Sequence, residues 1–466
     1  MFKLLRNQAQ VPSPHAFQIY QHDSGLHLIY MEKKAFRERF AAVGVNVGAA
    51  VLDFAAADGE RRRLMPGSAH YLEHCLFDRD DEGGLVRRIS DLGCDANAYT
   101  SYTETVFHVS GFERCPEAFL CLLDALLQPQ LDAARLDAER GIIRSEIEMY
   151  RDEPLTRAYM QLLHNLYRGE SVRNDIAGTL DDIEAIRPDM LQALVRQFYT
   201  PARFRICLCG DFDAVEGEMD TFLNELDARL NRFSRQRPSQ PANPTTVHIQ
   251  AEDAEVVQET MDLWFDVENP LILWACKRLL PPVPDTQASG LRYVGGAPRQ
   301  TLDIRDLQRE ELSVDFYLES LFGDCTDWYE KAYQEGRIHE RFSVRYVSEG
   351  TAAYLLIVAE SDSLDEAENL SAEVRERLRE ALLTPVSAEG QRLFQILQKG
   401  AIGRYLRALD SVEEAGAAAL RDFLVGLTPK ESLAALQQAN EEDARRVLAF
   451  VLEDGAAATV RVRGRS

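Results

Sequence analysis

His70-Tyr71-Leu72-Glu73-His74 is the stretch whose reading decides the rest of the chain. Two histidines four residues apart on a helix lie about 40° from each other around the axis and one turn along it, so both imidazoles can reach one metal ion. Glu73 falls on the flank of the same arc. It is placed to polarise a water at the metal's open side and is poorly aimed as a third ligand, which is a general base's position. Pro66, Gly67 and Ser68 precede the motif. Ser68 is the expected N-cap, starting the helix just before the first histidine and turning its positive end toward the site. Chance also produces single H-x-x-E-H matches in long acidic chains, and histidines on apolar helix faces are often plain core residues.

The stretch from Glu139 to Met149 raises the motif above chance. Glu139 and Glu146 are seven residues apart and share a helix face, whereas Glu148 points to the other side. A rise of about 1.5 Å per residue separates the first two by roughly 10 Å, too far for both to bind one ion. One ligates and the other supports.

H-x-x-E-H with a glutamate about seventy residues later resembles the pitrilysin/insulinase family of zinc peptidases, the inverzincins, which includes the mitochondrial processing peptidase. The resemblance implies that Glu146 is the third metal ligand and Glu139 the supporting carboxylate of the catalytic apparatus. It extends to Asp95-Ala96-Asn97-Ala98-Tyr99-Thr100, where Asn97, Ala98 and Tyr99 match a strand that pairs with substrate. It is strongest from about Gly25 to Phe212 and closest to half-length bacterial members, which work as paired chains of which one carries the metal motif. A single Zn2+ per chain is therefore expected, held by His70, His74 and Glu146. Three protein ligands leave a fourth position for water, whose pKa falls toward about 7 on zinc. Glu73 then takes the water's proton and returns it to the leaving amine.

Composition narrows the alternatives. A 466-residue chain that is 45% hydrophobic and 27% charged is an ordinary globular composition, long enough for two domains. A net charge of −24 argues against a nucleic-acid partner, which needs a basic face. The N-terminal residues lack an apolar run long enough for a signal peptide, and no stretch approaches a membrane span, so a cytoplasmic protein without membrane contact is expected. Eight irregularly spaced cysteines suit reduced thiols. Cys75 points roughly 100° round the helix from His74 and is discounted as a ligand.

Apolar runs at Leu26 to Tyr30 and Phe40 to Val47 read as strands, Asn97 to Tyr99 and Thr105 to Ser110 as a hairpin, Glu117 to Leu127 and Leu131 to Tyr150 as helices, and Phe204 to Cys209 as a closing strand. This predicts an α+β fold of two similar domains, each a mainly antiparallel sheet covered by helices, together forming half of a clamshell. Residues 1–230 form the metal-binding peptidase domain, the proline-rich 231–246 a linker, and 247–466 a homologous domain without metal ligands. The second domain is expected to hold a hairpin through Phe342 to Tyr346 and Ala353 to Val358, three helices and a last strand at Thr459 to Val462. Phe316-Tyr317-Leu318-Glu319-Ser320 echoes the metal motif with both histidines replaced.

Active members of the resembled family contact the substrate carbonyl with an Arg and a Tyr from the metal-free half. Here Phe342 stands where that Tyr belongs, and Asp327 or Trp328 near the Arg. The expected function is thus a zinc endopeptidase acting on peptides or leader peptides as the catalytic subunit of a heterodimer with a metal-free relative. The competing reading is a non-catalytic scaffold or peptide-binding subunit of the same fold, which has no physical need for His70, Glu73, His74 and Glu146 together.

Overall fold

A computed structural model describes the chain except residues 8–15, 35, 57, 78–83, 237–244, 249–251, 280–290, 295–302, 350–351, 453–455 and 465–466. The chain opens with β1 (Phe2–Asn7), β2 (Gln18–His22), β3 (His27–Glu32), β4 (Arg39–Val45) and the short β5 (Asp53–Ala55) and β6 (Arg61–Arg63). Helices α1 (Ser68–Leu76) and α2 (Leu85–Asp91) lead into the hairpin of β7 (Cys94–Thr100) and β8 (Thr105–Gly111). Helices α3 (Cys115–Leu127), α4 (Ala133–Arg151), α5 (Pro154–Leu166), α6 (Leu180–Ala185) and α7 (Pro188–Phe198) follow, then β9 (Arg205–Gly210) and α8 (Glu218–Gln236).

The rest of the chain runs β10 (Thr245–His248), β11 (Thr260–Phe265), β12 (Leu271–Leu279), β13 (Leu291–Val294), α9 (Ile304–Phe322), α10 (Asp327–Gln334), β14 (Ser343–Glu349) and β15 (Ala352–Glu360). It closes with α11 (Leu364–Leu383), α12 (Ala388–Ala408), α13 (Val412–Leu424), α14 (Pro429–Gln438), α15 (Glu441–Leu448) and β16 (Ala457–Gly464). Five helices stand where three were expected. The side chains of Ser387, Ser411 and Asn440 accept from the backbone of the turns they start, and Thr428 and Glu431 form a capping box, so the periodic stretch is cut at each. Helix α8 also reaches further than the proline-rich composition suggested, because Leu226, Leu230 and Phe233 continue its buried stripe. Residues 237–244 of the expected linker lie outside the described residues.

The fold is α+β. One sheet has the order β1-β2-β3-β9-β4-β8-β7 and another β11-β16-β12-β15-β14. In both, the last strand inserts parallel to an early one (β9 with β3, β16 with β11) and antiparallel to the next (β4, β12), with a hairpin completing the edge. A small third sheet orders β13-β10-β5-β6.

The two large sheets exchange helices. Helix α5 buries Ala158, Leu162, Leu163 and Leu166 against Leu271, Leu273, Leu356 and Val460 of the five-stranded sheet. Helix α13 buries Val412, Ala415, Leu420 and Leu424 against Phe40, Ala42, Cys207 and Cys209 of the seven-stranded one. Each large apolar side chain removed from water in this way contributes about 1.5–3 kcal/mol. Gly416 permits the approach, since a Cβ there would lie 2.3 Å from the Phe40 ring.

Gly67, rather than Ser68, is the N-cap of α1, with φ 85° and no side-chain cap, while the Ser68 hydroxyl donates back to the Met65 carbonyl. The reason is a close approach to Gly178, also left-handed at φ 76°: a Cβ on Gly67 would meet the Ala177 carbonyl oxygen at 2.4 Å, and one on Gly178 the Pro66 oxygen at 2.7 Å. Left-handed backbone and backbone contact together demand glycine at both places. Gly67→Ala and Gly178→Ala should each destabilise the protein by at least about 2 kcal/mol. The measurement is a thermal melt of each variant, and an unchanged midpoint would show that the loop yields without strain.

Candidate metal centre

Helix α1 divides its circumference between core and site. Measured from His70 at 100° per residue, Tyr71, Cys75, Leu72 and Leu76 occupy about 100° to 240°, and Glu73, His70 and His74 about 300° to 40°. The first four are buried in the main core of the seven-stranded sheet. Packing of the apolar arc therefore aims the polar arc, and the Tyr71 hydroxyl adds direction by donating to the Leu136 carbonyl in the first turn of α4.

Across from that arc, α4 presents both carboxylates of one stripe. Glu146 Oε2 lies 3.6 Å from His70 Nε2 and 3.4 Å from His74 Nε2, and ligand atoms of the three residues all fall within 4.8 Å of one another. Ligands about 2.05 Å from a tetrahedral ion are separated by about 3.3 Å, so the two histidine–Glu146 spacings are near those of a zinc set. One turn pair away, Glu139 Oε2 is 3.5 Å from His74 Nδ1, and Arg135 lies 3.6 Å from the other oxygen of Glu139. Glu139 thus stands behind His74, on the ring nitrogen turned away from Glu146. This carboxylate–imidazole pairing is the one that fixes ring orientation in metal sites. His70 has no equivalent among the described residues, and its Nδ1 is buried without a hydrogen bond.

The electrostatics are those of a cavity short of positive charge. Burial and the neighbouring His74 push His70 well below an ordinary imidazole. Burial pulls His74 the same way, but its bonds to Glu139 and Glu146 prevail and raise it to about 9. Asp175 is raised by burial and by the charge of Glu146. Glu73, only 6% exposed, adds a further carboxylate and accepts from the Thr100 hydroxyl at 3.1 Å. Cys75 faces the core, where burial pushes its thiol up to about 12.

Asn97, Ala98 and Tyr99 lie on β7, the edge strand of the seven-stranded sheet, beside α1. The Ala98 N–H donates to its neighbour's Asn97 Oδ1 rather than across to β8, so peptide groups of this strand face an open edge. The Tyr99 hydroxyl donates to Glu104 at 3.0 Å. Thr100, Arg135 and Asp175 were given no role by the sequence reading. Arg135 carried a signal, its spacing of four from Glu139 on one helix; Thr100 and Asp175 reach the site only through tertiary folding.

Two imidazoles and a carboxylate gathered in this way are a donor set that could hold a metal ion. Residues 60–180 match the model of the insulinase family (peptidase family M16). The chain is 27% identical over 427 residues, 91% of either chain, to an uncharacterised zinc protease, YmfH, of Bacillus subtilis. Its fold superposes on that of a putative M16-like peptidase from Alicyclobacillus acidocaldarius with a TM-score of 0.80, at 22% identity and covering 98% of this chain and 100% of that one. On pitrilysin the TM-score is 0.70 at 14% identity, covering 99% of this chain and 46% of that one. The chain thus resembles the insulinase (M16) family over residues 60–180, and its zinc-protease relatives support a zinc metallopeptidase.

The His70→Ala and Glu146→Gln variants should each lose bound zinc, because two of three ligands leave a divalent ion weakly held. Metal analysis of the purified chains tests this, and full zinc in both would remove the site as drawn.

Proposed function

We propose that this chain is the metal-bearing, catalytic half of a two-chain endopeptidase that cleaves peptides or leader peptides inside an enclosed chamber. The observation that carries the proposal is the convergence of His70, His74 and Glu146, with Glu146 at 3.4 and 3.6 Å from the two histidines and Glu73 on the same helix arc. In this reading those three residues hold one Zn2+, which when bound supplies Lewis-acid polarisation and lowers the pKa of water. Glu73 accepts the proton of the attacking water on its carboxylate and passes it to the leaving nitrogen. Glu139 holds His74 in the neutral tautomer whose Nε2 faces the metal. Asn97, Ala98 and Tyr99 present backbone to an extended substrate, which adds to β7 as a further strand and is read by main-chain bonds.

The proposed division of the chain takes 1–230 as the peptidase domain, extended by the end of α8 to Gln236, and 247–466 as a metal-free counterpart, with the expected connection of 231–246 shortened accordingly. In the counterpart, Phe342 packs at 5.7 Å against Trp328 and at 6.1 Å against Tyr329, and Arg341 is tied to Glu360 at 2.9 Å. Phe342 is committed to packing and carries no hydroxyl for a substrate carbonyl, and the nearby Arg341 guanidinium is drawn to Glu360. A transition state whose charge is met only by the metal side is incompletely stabilised. That the chain spans 46% of pitrilysin supports the same reading, in which a second, metal-free chain closes the chamber and brings the missing Arg and Tyr.

Glu73→Gln should keep zinc while lowering peptidase activity by a factor on the order of 10² or more. Zinc and turnover measured on one preparation decide it, and near wild-type cleavage would move the base elsewhere. The partner is tested by assaying the chain alone on unstructured peptides and weighing it in solution. Weak activity, rising when the metal-free chain is added, is expected; a fully active homodimer would sink the two-chain reading.

A further inference from the structure

Glu73 does not stand alone on its helix. Thr100, the last residue of β7, donates its hydroxyl to Glu73 Oε2 at 3.1 Å, from a different element twenty-seven residues away. Strand alternation explains why it can. Ala96, Ala98 and Thr100 share the face of β7 turned toward the core and α1, whereas Asp95, Asn97 and Tyr99 face outward. A threonine hydroxyl has one proton to give, and the surroundings decide where it goes. The neighbouring Thr105 Oγ1, 3.5 Å away, is wholly buried and donates its own proton to the Val47 carbonyl at 2.8 Å. Thr105 is thereby fixed, and the proton of Thr100 is directed to the carboxylate, the stronger acceptor.

We infer that Thr100 is a positioning residue that sets the orientation of the Glu73 carboxylate and couples it to the strand on which substrate lies. This rests on the reading of Glu73 as the proton acceptor and adds a mechanical link to it. A peptide bound along β7 is registered to that strand by backbone bonds. One hydroxyl at the strand's end then transmits the register to the group that handles the proton. A few tenths of an ångström at β7 reach the reacting water through this bond, and positioning on that scale governs rate. A side chain there of the same shape and without a hydroxyl keeps the packing and loses the link.

The test compares Thr100→Val, Thr100→Ser and Thr100→Ala in the zinc-loaded full chain, with the partner chain present for turnover if turnover requires it. Five quantities are read: zinc per chain, melting temperature, kcat and KM on a quenched fluorescent peptide, and the calorimetric Kd of a dipeptide hydroxamate, whose hydroxyl proton needs an oriented carboxylate acceptor. Thr100→Val should lower kcat and weaken the hydroxamate by about 10- to 100-fold, the range found when groups that orient a site are removed. KM, zinc and melting temperature should stay near wild type, and Thr100→Ser should recover most of both losses. Wild-type kcat and hydroxamate affinity in Thr100→Val, with Glu73→Gln inactive, would overturn the role of Thr100 alone. Near wild-type activity in Glu73→Gln would instead overturn the reading beneath it. Loss of zinc or stability in step with activity in both Thr100→Val and Thr100→Ala would make Thr100 a structural residue and also overturn the inference.

Discussion

Helix α1 has nine residues, and a helix that short has almost no stability of its own in water. It persists because one side of it is packed: Tyr71 and Leu72 are fully buried, Cys75 and Leu76 nearly so, and the Tyr71 hydroxyl is spent on a carbonyl of α4. The metal centre inherits its geometry from this contact. Two imidazoles and a carboxylate from separate helices meet at ligand spacing only if the helices are held at one distance and one rotation. The paired glycines at 67 and 178 set where α1 begins, and its apolar arc sets how it is turned. The same contact carries the cost of the site, since several carboxylates and two imidazoles are gathered where desolvation penalises charge.

The exchange of α5 and α13 between the sheets extends that dependence to the edge strand. Tyr102, in the turn between β7 and β8, is buried among Leu273, Tyr354 and Leu162, and its hydroxyl donates to the Val172 and Asn174 carbonyls. The end of the strand carrying Asn97, Ala98, Tyr99 and Thr100 is therefore anchored in the core shared by the two halves. The segment its hydroxyl grips leads directly to Asp175, beside Glu146, and to Gly178, against Gly67. Strand, metal helix and the second half of the chain are mechanically one unit at this point. A further buried tie strengthens it: Lys277 of β12 pairs with Glu252 at 2.7 Å, and Glu252 also accepts from the N–H groups of Gly169 and Glu170. Such a pair adds little net stability but fixes register, since leaving either charge unpartnered is costly.

What the sequence disclosed and what it withheld follow the range of the interactions. His70, Glu73 and His74 were legible because four-residue spacing on one helix is a local rule, and the seven-residue spacing of Glu139 and Glu146 likewise. Which of those two faces the histidines was not local. It needed the family resemblance, and the structure puts Glu146 between both Nε2 atoms and Glu139 behind His74. The hairpins and closing strands were legible from alternation, whereas the helix exchange was not, because a buried stripe does not say which sheet it covers. Ser68 was misread as the cap because its side chain has the right chemistry. The backbone instead turned left-handed at Gly67, under a contact with residues more than a hundred positions away. The number of late helices was misread because capping residues interrupt a pattern whose hydrophobic period continues across them.

The second half holds a helix packed like α1 but without its histidines. Between β12 and the β14–β15 hairpin, α9 takes the place that α1 takes between β4 and the β7–β8 hairpin. Tyr317 resembles Tyr71: it is 2% exposed, and its hydroxyl donates to a helix carbonyl, that of Ala381 in the last turn of α11, where Tyr71 donates to Leu136 in the first turn of α4. The packing face is thus the same while the polar arc is not. Phe316 and Ser320, spaced four apart like His70 and His74, are 7% and 6% exposed, with the serine hydroxyl returned to the Tyr317 carbonyl of its own helix. Buried imidazoles without a metal would be desolvated bases facing carboxylates, whereas a phenyl ring and a self-satisfied hydroxyl carry no such penalty. Helix α9 runs to nineteen residues. Both helices are held by the same kind of buried tyrosine and apolar face, so the packing persists where the histidines do not.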